Sequence, residues 1–196
     1  MKTVGRKLIG IDRKYASELK KQLNLPSLPE LRVFQMDAHE LKFEDESFGF
    51  VYSRSVLHHL PDPGGAVDEI VRVLKPGGVA YISIHLYSSP SGCLDHRVFT
   101  NRGNEVGFWP HLRPQLRHRI GEASVYLNKL RPAEWRTVFE RKMPGVDCIL
   151  NRGDDPTLEP AARALQDQGE LLEYSLDELL TFEVVALWRK PAAISH

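Results

Sequence analysis

The chain has 196 residues and is short of the features that mark several classes of protein. Two cysteines, Cys93 and Cys148, stand too far apart to form a metal-binding spacing or a disulfide framework. A reducing, cytoplasmic compartment is the expectation. Net charge is absent, because 26 lysines and arginines offset 26 aspartates and glutamates. The balance gives no reason to expect nucleic acid or an anionic membrane as a partner. No apolar run approaches the ~20 residues needed to span a bilayer, and no basic segment followed by an apolar one opens the chain. Repeats and disordered compositions are missing too. What remains is a length that fits one domain with a sizeable core.

The most informative stretch runs from Glu46 to Leu86. Phe48 to Ser53 is apolar, aromatic and β-branched, as a buried strand requires. Asp62 and Pro63 read as a helix N-cap and first helical residue. Ala66, Val67, Ile70, Val71 and Leu74 recur at helical spacing and give one apolar face. Lys75-Pro76-Gly77-Gly78 stops that helix, and Val79 to Ile84 reads as a second buried strand. Strand, helix and strand over this length make a right-handed crossover, so the two strands should be parallel.

Upstream, Lys7 to Ile11 reads as a strand ending at Asp12. A helix follows, with Tyr15, Ala16, Leu19 and Leu23 on its buried side, until Pro26 and Pro29 break it. Arg32 to Met36 reads as the next strand, ending at Asp37. Ligands of open parallel sheets bind outside the carboxyl ends of the strands, so two acids at two such ends are well placed.

Two motifs, Val56-Leu57-His58-His59-Leu60 and Arg72-Val73-Leu74-Lys75-Pro76-Gly77-Gly78, at this spacing and with Asp37-Ala38 upstream, carry a family resemblance. The stretch from Lys7 to about Tyr87 resembles the class I S-adenosylmethionine-dependent methyltransferases, of the small-molecule, methyltransferase type 11-like kind. The resemblance implies an α/β, Rossmann-like three-layer sandwich with a mostly parallel sheet in the order 3-2-1-4-5-7-6. It implies S-adenosylmethionine as cofactor. Asp12 matches the acid that accepts from the two ribose hydroxyls, as an ionised carboxylate can. Asp37 and Ala38 match the pair beside the adenine, and the backbone near Ser53 the part that faces the methionine moiety. On residue chemistry alone, each Asp could equally cap the turn or helix that follows it.

The sequence departs from the family before Asp12. Only eleven residues precede it, and Gly5 and Gly10 do not form the G-x-G-x-G loop of the family's first strand. The first strand is therefore absent from the expected sheet. Two explanations stand: a chain truncated from a longer protein, which the intact remainder favours, or a short form that closes its sheet differently. The chain as given is expected to bind S-adenosylmethionine weakly or not at all, and a form with the missing segment restored to bind it through Asp12. Gly49 stands where the family often has Asp, which bears on loop anchoring.

His58 and His59 invite a metal or a base reading. No cysteine or acid cluster completes a metal set, so none is expected. His58 is a weak candidate for a catalytic base, since a neutral imidazole takes a proton near pH 7. A histidine that holds its loop by hydrogen bonds is the competing reading. Ser88 to Arg131 is too long for a plain connection and contains His96, Phe99, Phe108, Trp109, His111, His118 and Tyr126. Within the single domain 1–196, residues 88–131 are expected to be an insertion covering the substrate, with Trp109 and His111 turned toward the pocket. Beyond it, Pro132 opens a helix with Trp135, Val138 and Phe139 inside. A short strand near Val146 to Leu150, helices near Leu158–Gln168 and Ser175–Leu180, and a last antiparallel strand over Glu183–Trp188 complete the chain.

The function expected is methyl transfer from S-adenosylmethionine to a small-molecule acceptor. One alternative is a non-catalytic, methyltransferase-like interaction protein or an inactive fragment. Another is a nicotinamide-dependent oxidoreductase, since an acid after the second strand also suits a ribose; the Leu-His-His-Leu and Leu-Lys-Pro-Gly-Gly pair argues against it.

Overall fold

The computed structural model describes residues 34–95, 97–98, 105–121 and 125–192. The chain divides into two compact units, residues 1–37 and 38–196. The strand expected over Lys7–Ile11, the helix after it and Asp12 lie outside the described residues. Of the strand expected over Arg32–Met36, the described residues Phe34 to Met36 are not in a strand, and Asp37 enters only a short bridge-and-turn.

In the second unit, the described residues form strands β1 (Phe48–Arg54), β2 (Leu74–His85), β3 (Asp147–Arg152) and β4 (Thr181–Arg189). Helices α1 (Pro63–Val73), α2 (Pro132–Lys142), α3 (Leu158–Asp167) and α4 (Leu176–Leu180) accompany them. The sheet order is β1-β2-β4-β3. β1 and β2 are parallel, and β4 runs antiparallel to both β2 and β3. So β1, β2 and β3 point one way and β4 the other. This is the 4-5-7-6 half of the expected order, and the fold is α/β and Rossmann-like with a mixed sheet. β4 lies one strand in from the edge that β3 forms.

The crossover forms for the reasons its sequence contains. The Asp62 carboxylate accepts from the Gly65 amide at 3.1 Å, and Pro63 begins α1. At the other end, the Lys190 ammonium donates to the carbonyls of Val71 (3.0 Å) and Leu74 (2.7 Å), where the helix dipole favours a cation. β2 begins at Leu74, five residues before the expected start. Gly77, at φ +77°, lets the Lys-Pro-Gly-Gly segment bend and still donate to the Lys190 carbonyl.

One face of the sheet carries the main core. Ala80, Ile82 and Ile84 of β2 lie opposite Trp188, Ala186 and Val184 of β4, and all six are buried. Val67 and Ile70 of α1 and Trp135 and Phe139 of α2 pack onto them. Each such aliphatic side chain contributes about 1.5–3 kcal/mol by leaving water. The opposite face is different. Phe50 and Tyr52 of β1 are 58% and 57% exposed, and Ile149 and Leu187 also reach solvent. β1 is thus not the fully buried strand expected. It is the outermost described strand, and only its Val51 side meets the core. A second apolar cluster gathers Trp109, Leu112, α3 and α4.

Candidate functional site

The parallel pairing of β1 and β2 brings their carboxyl ends side by side, Arg54 opposite Ser83. The chain leaves β1 through Ser55, whose amide donates to the Ser83 carbonyl at 2.8 Å. Ser55 has φ +53°, a left-handed conformation that costs a non-glycine residue about 1–2 kcal/mol. Strain of this kind sits here at the end of the sheet where open α/β folds take ligands.

Leu57 to His59 form a single helical turn after β1. Leu57 is buried in the main core and Leu60 packs against it, so the two leucines of Leu-His-His-Leu anchor the turn. His58 is 4% exposed, and among the described residues neither ring nitrogen has a hydrogen-bond partner. Burial above all, and then His59 and His85, push its pKa down to about 4. Such a group is neutral at pH 7 but a poor base there. His59 places Nδ1 3.0 Å from the Tyr126 carbonyl. A carbonyl only accepts, so Nδ1 carries the proton.

Two more histidines face the same end. His85 closes β2, with the hydroxyls of Ser89 and Ser91 each 3.3 Å from Nε2, and burial lowers its pKa. His111 donates from Nε2 to the Tyr87 carbonyl at 2.7 Å, while its buried Nδ1 has no partner among the described residues. Burial lowers its pKa to about 4, against a smaller rise from that carbonyl. Among the described residues no three His, Cys, Asp or Glu side chains are grouped to hold a metal.

The segment Tyr126–Leu130 lies over the turn. The Asn128 amide N–H donates to the His58 carbonyl at 2.9 Å. Its side-chain nitrogen donates to the carbonyls of Leu57 (3.0 Å) and Leu60 (3.1 Å). Between this segment and the loop after β2 is a cavity of about 510 Å³, lined by Tyr87, His111, Arg117, Tyr126 and Lys129 among others. The loop after β2 is tight: a Cβ on Gly92 would stand 2.0 Å from the Tyr87 carbonyl oxygen. Only glycine fits there.

Ser53, half-buried in β1 opposite Ile82, and His58 come to this one end of the second unit. Ala38 opens that unit beside His39, whose Nε2 is 2.7 Å from the Asp62 carbonyl at the start of α1. Asp37 is exposed and belongs to the first unit. Asp12 lies outside the described residues. His111 lines the cavity, and Trp109 does not. It is fully buried in the second apolar cluster, held by Leu158, Ala162 and Leu165 of α3, because an indole buries more surface there than at a cavity wall. His85 and Asn128 were not among the expected site residues. His85 ends a predicted strand, which was a usable signal; nothing local marks Asn128.

Residues 1–82 match the model of the methyltransferase domain family. Both sequence motifs lie within that matched stretch, which is similar to the class I, type 11-like methyltransferases. It is 41% identical over 108 residues to phosphoethanolamine N-methyltransferase 2 of Caenorhabditis elegans, covering 54% of this chain and 24% of that protein. It is 39% identical over 70 residues to phosphatidylethanolamine N-methyltransferase of Cereibacter sphaeroides, covering 36% of this chain and 34% of that one. The matched stretch therefore spans about a quarter to a third of the length of these relatives. Among solved structures, phosphoethanolamine N-methyltransferase 2 of Haemonchus contortus, in complex with phosphomonomethylethanolamine and S-adenosylhomocysteine, is a remote likeness. It is 19% identical with a TM-score of 0.44, covering 79% of this chain and 36% of that one. A methyltransferase of Methanosarcina mazei is 16% identical with a TM-score of 0.46, covering 89% and 76%.

Proposed function

We propose that this chain takes part in methyl transfer from S-adenosylmethionine to a small-molecule acceptor. The observation that carries the reading is the parallel β1–α1–β2 unit with the Leu-His-His-Leu turn at its carboxyl end, inside the stretch that matches the methyltransferase family. When bound, the cofactor supplies a methyl group activated by a sulfonium. Asp12 accepts from its ribose hydroxyls and Asp37 from its adenine amine, beside Ala38. The backbone near Ser53 faces the methionine part. A half-buried strand end with backbone groups on the outermost described strand suits that contact.

The cavity beside Tyr87 and His111 receives the acceptor, and residues 88–131 act as its cover. Positioning and exclusion of water carry much of such a displacement. The acceptor's proton then goes to solvent more readily than to His58, whose low pKa and buried nitrogens suit holding the turn. The test is transfer of an isotopic methyl group from S-adenosylmethionine to the small-molecule fraction of a cell extract by the purified chain. Label in a small molecule supports the reading; none, at any protein concentration, defeats it.

A second reading has one observation of its own. The exposed Phe50, Tyr52, Ile149 and Leu187 on one sheet face suit a non-catalytic, methyltransferase-like protein that binds a partner there. An extract fraction that is methylated normally by a Tyr52→Ser, Leu187→Ser chain would remove that face from the activity.

A further inference from the structure

The cavity between the loop after β2 and the Tyr126–Leu130 segment has a chemical polarity that the methyltransferase reading does not supply. Its walls are apolar and aromatic, from Tyr87, Ile120, Val125, Tyr126 and Leu127. Two cations, Arg117 and Lys129, stand among them, and no carboxylate lines it among the described residues. Among the described residues neither cation forms an ion pair; the Arg117 guanidinium donates from Nε to the His111 carbonyl at 3.3 Å. The Lys129 ammonium sits over the Tyr87 ring, 4.8 Å from its centroid, an attraction that orients the cation without cancelling its charge.

Contrast the other arginines of this region. Arg113 is bound twice by Glu170, and Arg131 by Glu178. Carboxylates in this part of the chain are spent on arginines that hold loops together. Arg117 and Lys129 are left facing a cavity. Their charge is felt inside it, because both contribute to the lowered pKa of His111, behind the larger effect of burial.

We propose that this cavity binds an organic anion, a phosphate monoester or a carboxylate carried on an apolar or aromatic body, and that this is the acceptor class. The second half of that statement rests on the methyltransferase reading; the first does not. Arg117 supplies guanidinium donors with the fork geometry that matches either anion. Lys129 supplies a point charge, and Tyr87, Tyr126 and Val125 cover the apolar part. His111, whose Nε2 is held by the Tyr87 carbonyl, completes the wall.

The test titrates the whole chain, without cofactor, with phenyl phosphate, benzoate and benzyl alcohol, reading binding from the histidine ring signals in nuclear magnetic resonance. The two anions are expected to bind at least tenfold more tightly than the alcohol and to weaken as salt rises. Tighter phenyl phosphate identifies the phosphate ester, and tighter benzoate the carboxylate. Saturation with the anion should move the His111 titration upward. Arg117→Gln and Lys129→Gln should each weaken binding about three- to tenfold, and Lys129→Arg should largely retain it. Both side chains are exposed, so the variants should fold. Benzyl alcohol binding as well as the anions, or a double Gln variant that binds unchanged, overturns the proposal. A chain that binds these anions but never S-adenosylmethionine would defeat the methyltransferase reading and leave this site standing.

Discussion

Asn128 reaches back 71 residues to Leu57, donating its side-chain amide to the Leu57 carbonyl at 3.0 Å. The same nitrogen also serves Leu60, and the Asn128 backbone serves His58. The core, the turn and the segment over it meet at this residue. The leucines anchor the turn in the core, the turn ends β1, and Asn128 fastens the far end of residues 88–131 to it.

Asn128→Ala should therefore destabilise the protein by about 1–3 kcal/mol, since it removes two side-chain donors from half-buried carbonyls. Hydrogen exchange should show the loss first at residues 126–130. A shift in urea midpoint equivalent to under about 0.5 kcal/mol would mean that the segment docks by other means.

Acid should weaken the fold through its buried histidines. His58 and His111 have pKa values near 4 in the folded protein, below their ordinary 6.5. Between those values the unfolded chain binds more protons than the folded one, so stability rises with pH across that window. As pH falls from about 6.5, stability should decline and level off with respect to these groups below about 4. Glu69 and Glu170, each held low by an arginine, weaken the fold only under more acid conditions. Urea midpoints measured from pH 4 to pH 7 check this, and His58→Gln should flatten the slope. A midpoint independent of pH over that range would contradict the burial assigned to both rings.

The two sheet faces should respond oppositely to truncation. Phe139, fully buried and stacked 5.8 Å from Trp135, should cost about 3–5 kcal/mol as alanine. Phe50, 58% exposed, should cost within about 0.5 kcal/mol of nothing. Thermal unfolding of the two variants side by side reads the difference.

Asp62→Ala removes the acceptor for the Gly65 amide at the start of α1. The expected cost is about 1 kcal/mol, seen as a lower unfolding midpoint; Asp62→Ser should restore most of it. An unchanged Asp62→Ala midpoint would show that Pro63 alone sets the helix start.

Much of this was legible in the sequence because it is local. Asp62-Pro63 and the helical spacing from Ala66 to Val73 specify α1 by capping and periodicity. The apolar runs on either side specify β1 and β2. Pro132, Trp135 and Phe139 do the same for α2. What was not legible depends on contacts distant in sequence. Trp109 looks like a cavity wall by composition, and its burial against α3 follows from where Leu158 and Ala162 come to rest. The exposure of Phe50 and Tyr52 depends on which elements cover the sheet, which an apolar run cannot state. Asn128 is one polar residue in a loop until the Leu-His-His-Leu turn is folded beneath it. The start of β2 at Leu74 was missed because Pro76 and Gly77 read as breakers, while their pairing with Lys190 comes from the far end of the chain.

The proposal that S-adenosylmethionine is the cofactor, with Asp12 and Asp37 among its contacts, is open to direct measurement. Saturation-transfer nuclear magnetic resonance on the full chain tests it, since the method reads weak as well as tight binding. Transfer to the adenine and ribose protons, competed by S-adenosylhomocysteine, is the expected result. Asp12→Ala and Asp37→Ala should each weaken that binding, since each removes a charge-assisted acceptor. Transfer that both variants leave unchanged would contradict it.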